Sequence, residues 1–276
     1  MNRAARIAAA EETLRIVETG CYRAADDSDI SIKAAVERAV AGTRLYRGED
    51  FPLRIEPIVT VANCLIELTG ETSLAAAQRL TGAQEDADIC ILNFASARNP
   101  GGGFLNGAQA QEESLARSSA LYPCLVSQFD YYAHNRAQPS CLYSDWMIHA
   151  PAVPVFRDDA GELLLSPYHA AFITAPAVNA GAVRQNEPDA VPRIDAVNRE
   201  RARKLLWLAN RHRHRDLILG AWGCGVFRND PNKIAGLFED LLKGEFANCF
   251  ARVTMAVFDR TADRAVYGAF AKRFGS

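Results

Sequence analysis

The sequence predicts an α/β fold: a mixed, mostly parallel sheet with helices on both faces. Short, nearly continuous apolar runs such as Asp88 to Phe94 read as strands buried on both sides. Between them lie longer stretches with apolar residues at three- and four-residue spacing, the period of a helix packed along one face. Two of the strand-like runs feed glycine-rich loops, at 101–103 and 220–225, and an open α/β sheet holds its ligand at such strand ends.

Residues 3–18 and 31–42 carry helical spacing and read as two helices ahead of the core. The last residue of the linker Asp26-Asp27-Ser28-Asp29 suits an N-cap for the second. Pro57 to Ala62 and Asp88 to Phe94 read as buried strands, with a helix over 72–83 between them. Met147 to Ala150 and Ala170 to Ala175 are further strands. The stretch 176–192, with Gly181 and three prolines, reads as a long loop or lid. Pro192 to Arg211 is a long helix, Leu217 to Ala221 a strand and Pro231 to Lys243 a helix. Arg252 to Phe258 is the last strand, and 261–273 a closing helix.

The chain has 276 residues, of which 49% are hydrophobic and 23% charged, enough for one large core. A net charge of −2 excludes a general nucleic-acid or membrane-surface binder, so a phosphate-bearing ligand must be gripped locally. No stretch has the apolar length of a membrane span, and residues 1–18 lack the apolar centre of a secretory signal. The seven cysteines, an odd number in scattered apolar settings without CxxC spacing, read as reduced thiols of a cytoplasmic protein.

Three constellations carry chemistry. Gly101, Gly102 and Gly103 follow a strand and precede a helical pattern. Each glycine costs roughly 0.5–1 kcal/mol against alanine in a regular element, so the run implies close approach of backbone to a ligand. Its unshielded N–H groups suit phosphate and ribose. Next comes Gln111-Glu112-Glu113. Adjacent helical residues point about 100° apart, so the two acids cannot be the opposed pair of an ordinary glycosidase, whose carboxyls flank the bond at about 5–9.5 Å. Taken alone the motif reads as helix-start chemistry, where acids favour the dipole and the dipole lowers their pKa. The third is Gly220 to Pro231, with Asp230 as N-cap and Pro231 at the first helical position. Cys224 within it reads as a small residue between glycines rather than a nucleophile, having no evident histidine partner. Arg211-His212-Arg213-His214-Arg215 reads as a solvated complement to a helix C-terminus rather than a metal tract. His134, His149 and His169 receive no role.

Together, Asn99-Pro100-Gly101-Gly102-Gly103, a gap of seven residues, Gln111-Glu112-Glu113 and the late Gly223-Cys224-Gly225-Val226-Phe227 resemble the poly(ADP-ribose) glycohydrolases, most closely the shorter microbial type. Pro154-Val155-Phe156-Arg157-Asp158 and Ala175-Pro176-Ala177-Val178-Asn179 add to the likeness, which runs from about residue 45 to the end. The pairing of the glycine run with the acids is specific, because ordinary macrodomains have the loop without them.

The resemblance implies a macrodomain-like three-layer α/β/α catalytic domain over 45–276 and a helical extension over 1–44. It makes Glu113 the catalytic acid and gives Glu112 the ribose hydroxyls, with Gln111 fixing the pair. Gly101, Gly102 and Gly103 would line ribose and diphosphate, and Asn99 the scissile ribose. Gly223, Cys224, Gly225 and Val226 would form the diphosphate loop, and Phe227 would orient the reacting ribose. The implied reaction is hydrolysis of ribose–ribose O-glycosidic bonds, from chain termini, with no cofactor and no metal. The implied partners are poly(ADP-ribose), its product ADP-ribose and poly(ADP-ribosyl)ated proteins, without direct nucleic acid or membrane, for a monomeric cytoplasmic enzyme of the DNA damage response. The alternative is a non-catalytic ADP-ribose reader; a dinucleotide-dependent enzyme has less to support it.

Overall fold

A computed structural model describes residues 1–83 and 88–275. Helix α1 (Arg3–Thr19) is followed by a small antiparallel hairpin, β1 (Cys21–Arg23) with β2 (Asp29–Ser31), and by α2 (Lys33–Gly42). Asp29 therefore lies in a strand; Ile32 occupies the N-cap of α2, with no side-chain cap.

The central sheet contains β3 (Arg44–Tyr46), β4 (Leu65–Thr69), β5 (Ile89–Phe94), β6 (Met147–Arg157), β7 (Leu163–Ala175), β8 (Asp216–Gly220) and β9 (Arg252–Ala256). Their order is β3-β6-β7-β5-β8-β9-β4. The five strands from β7 to β4 are parallel, and β6 and β3 extend the sheet antiparallel to their neighbours. The helices between the strands are α3 (Ser73–Ala83), α4 (Gln111–Ser118), α5 (Leu121–Ser127), α6 (Phe129–Ala137), α7 (Ala180–Asn186), α8 (Ile194–Arg211) and α9 (Pro231–Lys243), with α10 (Ala265–Phe274) at the end.

Alternation along β5 sends Ile89 and Ile91 to one face and Cys90 and Leu92 to the other. The first face packs against α1 to α6, the second against α8 to α10, giving three layers. Asp230 caps α9 by accepting from Asn232 N, with Pro231 at the first position, as the sequence predicts.

Three further expectations need correction. Residues 57–62 form no strand. At Ile58 and Val59 the backbone hangs on one side chain: Asn210 Oδ1 accepts from Ile58 N (2.6 Å) and Val59 N (3.0 Å), and Asn210 Nδ2 donates to Val59 O at 2.7 Å, while Val61 N donates to Asn248 O at 2.7 Å. The edge strand is Leu65–Thr69 instead, parallel to β9. Residues 176–192 are not an open lid, since α7 and a 3-10 turn at Pro188–Arg193 bury Val178, Ala180, Val183 and Ile194 in a small core. The third concerns the histidines. His149 stacks on His212 with ring centres 3.7 Å apart, and its Nε2 meets His214 Nε2 at 2.9 Å. His214 Nδ1 reaches Asp88 at 2.9 Å, so the tract ends in a packed cluster rather than in solvent.

Candidate active site

The carboxyl ends of β5, β7 and β8 lie side by side, and the glycine run with Gln111-Glu112-Glu113, the stretch Ala175 to Asn179 and the loop Gly220 to Phe227 leave the sheet there, whereas Pro154 to Arg157 lie in β6 toward the opposite end. Each of the three is anchored by a specific side chain. Gln111 zips the first turn of α4 to the end of β5: its Nε2 donates to Leu92 O (2.7 Å) and Ser73 Oγ (3.1 Å), and its Oε1 accepts from Phe94 N at 2.9 Å. With both amide atoms so engaged, Gln111 belongs to the scaffold under the acids.

The two glutamates then diverge, as helix geometry requires. Glu112 turns inward and is 3% exposed. Its Oε2 accepts from Ser96 N (2.6 Å) and its Oε1 from Asn93 Nδ2 (3.3 Å). Burial pushes its carboxyl up to about 8; the neighbouring Glu113 charge adds to the rise and the Ser96 N–H opposes it. Burial therefore outweighs the helix dipole that the sequence suggested would lower it.

Glu113 points at the glycine loop, its Oε1 accepting from Gly103 N at 3.0 Å. No described residue donates to its Oε2, which leaves one carboxylate oxygen for a ligand. The loop is shaped for this contact. Gly101 and Gly102 have φ of +65° and +60°, and a Cβ on Gly102 would run into Glu113 Oε1. Turn bonds from Gly102 N to Asn99 O (3.0 Å) and from Phe104 N to Gly101 O (3.2 Å) close the loop, and the buried Phe104 ring pins it from below. Beyond it, Arg6 Nε donates to Gly107 O at 2.8 Å and Arg3 Nε to Asn106 O at 3.2 Å, so α1 braces the stretch leading to the acids.

The loop after β8 is held by asparagines. Asn229 Nδ2 donates to Val178 O (2.8 Å) and Gly223 O (3.1 Å), while Asn229 Oδ1 accepts from Asn198 Nδ2 at 2.9 Å. Asn198 Oδ1 in turn accepts from Val178 N at 2.9 Å, locking the loops after β7 and β8 together. Gly223 has φ +71° and no room for a side chain between Ala177 and Asn229. Gly225 and Val226 face outward, Val226 being 82% exposed, and Phe227 packs near Tyr143 with ring centres 6.0 Å apart. Burial pushes the Cys224 thiol up to about 12, which removes it as a nucleophile near neutral pH.

Thus Asn99, Gly101, Gly102, Gly103, Gln111, Glu112 and Glu113 gather at the end of β5, and Gly223 to Phe227 at the end of the adjacent β8. Sequence reasoning missed Asn93, Ser96, Asn198 and Asn229. Asn93 alone had a visible signal, being a polar residue inside the apolar run Ile89–Phe94.

Comparison with known proteins points the same way. The family model for the microbial-type PARG (poly(ADP-ribose) glycohydrolase) catalytic domain matches residues 10–158. The crystal structure of poly(ADP-ribose) glycohydrolase from Thermomonospora curvata superposes with a TM-score of 0.93 at 49% identity, covering 98% of this chain and 99% of that one. The same enzyme bound to the inhibitor ADP-HPD superposes at 0.91, with the same identity and coverage. The enzyme from Deinococcus radiodurans in complex with ADP-ribose gives 0.81 at 46% identity, over 86% of this chain and 96% of that one. No curated protein sequence matches. The extent of these matches, together with the glycine loop built against the Gln-Glu-Glu turn, shows that the chain belongs to the microbial-type PARG catalytic-domain family.

Proposed function

We propose that the protein hydrolyses the ribose–ribose O-glycosidic bonds of poly(ADP-ribose) and releases ADP-ribose. The observation that carries this reading is Glu113 Oε2, which accepts from no described residue and is held beside a glycine loop whose φ values and tight spacing admit no side chain. Residues 99–103 and 223–227 would cradle the ribose and diphosphate, with Asn99 at the scissile ribose and Phe227 orienting it. Glu113 gives its proton to the leaving ribose oxygen as the C–O bond breaks through an oxocarbenium-like state. The same carboxylate then takes a proton from the water that attacks the anomeric carbon, which restores the enzyme. Proton transfer of this kind contributes about 10²–10⁴ in rate.

Glu112 cannot be a second opposed acid, because its oxygens turn to Ser96 and Asn93. It serves the ribose hydroxyls instead. The substrate pyrophosphate can steady the positive charge that an opposed carboxylate steadies in other glycosidases. We further read residues 1–44 as an extension of the catalytic domain, in keeping with the α1 contacts to the loop, and the protein as an exo-acting cytoplasmic enzyme of the DNA damage response.

The direct test is incubation with labelled polymer and sizing of the products. Release of ADP-ribose alone supports exo-action; mixed oligomers would mean internal cleavage. Polymer left intact while ADP-ribose binds would replace the enzyme with a reader.

A further inference from the structure

Beside Asn99 the surface carries an aromatic ring and two arginines that the reading of the site has not used. Arg136, near the end of α6, donates from Nε to Arg98 O at 2.7 Å and from Nη2 to Asn99 Oδ1 at 3.3 Å. Its guanidinium lies 5.2 Å from the centre of the Phe129 ring. Phe129 stands two helical turns earlier on the same face and is 47% exposed. Arg98, directly before Asn99, is also exposed. Neither guanidinium forms an ion pair among the described residues, although the chain is net acidic.

An exposed ring with a guanidinium laid over it, next to a second cation, matches the chemistry of a nucleotide. Bases stack on aromatic faces and on arginine planes, and phosphates take the remaining charge. We propose that Phe129, Arg136 and Arg98 form an acceptor-side subsite, holding the adenosine and pyrophosphate of the polymer unit from which the terminal ADP-ribose is cut. This rests on the assignment of Asn99 and Glu113 to the scissile bond: Arg136 touches Asn99, so the subsite begins where the leaving ribose must depart. The subsite favours polymer over ADP-ribose attached to a small alcohol or a protein side chain, because only polymer presents a second nucleotide there.

The test compares two substrates, poly(ADP-ribose) and a synthetic ADP-ribose glycoside with a small alcohol as leaving group. Phe129→Ala and Arg98→Ala, singly and combined, leave the Asn99 bond of Arg136 in place. The combined variant is expected to raise KM for polymer about tenfold and to weaken its salt dependence. Turnover of the small glycoside and calorimetric binding of ADP-ribose should stay at the wild-type level. An unchanged KM for polymer overturns the subsite, and so does an equal loss on both substrates, which would mean that the catalytic loop had shifted. Wild-type protein that cleaves neither substrate overturns the glycohydrolase reading, and the subsite with it.

Discussion

Glu112 couples the stability of the protein to pH in a direction opposite to most carboxylates. In the fold it holds its proton to about 8, whereas an unfolded chain releases it near the ordinary 4.5. Between those values folding takes up a proton, so stability is greatest below the unfolded pKa and falls as pH rises through this window. At 1.36 kcal/mol per pH unit, the penalty accumulated by neutral pH is about 3 kcal/mol. Glu112→Gln removes the charge and keeps the shape. Asn93 Oδ1 is buried without a partner among the described residues, and rotation of the Asn93 amide would let it accept from the new Gln Nε2. Denaturant unfolding of both proteins between about pH 5 and pH 8 should show the variant gaining on wild type by roughly 1.4 kcal/mol per unit. A stability difference that stays flat over this range would mean that Glu112 is ionised in the fold, held by the Ser96 N–H, and the burial argument would be wrong.

Other perturbations test neighbouring parts of the account. Gly102→Ala places a methyl against the Glu113 carboxyl at φ +60°. It should cut polymer hydrolysis by about 10²-fold while costing roughly 1–2 kcal/mol of stability, read by kinetics and thermal melts. Asn229→Ala leaves the buried Asn198 Nδ2 without its partner and takes one of two bonds from Val178 O, which still accepts from Ala180 N; it should cost about 1–3 kcal/mol and weaken ADP-ribose binding by calorimetry. Burial keeps His149 neutral down to about 2 and His212 down to about 4, against an ordinary 6.5. The stability they support is present above 6.5 and is lost as pH falls below it, so His149→Gln should flatten the acid limb of the stability profile by about one proton.

Much of this was legible in the chain. The apolar runs of β5 and β8, the helix start at Asp230-Pro231 and the two glycine loops stood out because local chemistry fixes each of them. Failures came where distant residues decide. Ile58 and Val59 look like a strand, but the Asn210 amide takes their hydrogen bonds. β6 runs on to Arg157, past the Ala150 at which the sequence reading ends it, through Pro151 and Pro154, residues that a central strand excludes. They are tolerated because β3 pairs only with residues 147–149, leaving the rest of that side unpaired apart from a single bridge to Ser119. The histidine cluster joins His149 to His212 and His214, which no local pattern connects. In the site, Glu112 and Glu113 were separable from helix geometry, yet their division of labour depends on Ser96, Asn93 and Gly103.

The central claim is that one carboxylate, Glu113, moves the proton. Glu113→Gln keeps the shape and can retain the bond from Gly103 N. Measured turnover of poly(ADP-ribose) should fall by about 10³-fold or more, with ADP-ribose affinity and melting temperature at wild-type values. Turnover within about threefold of wild type would contradict the account.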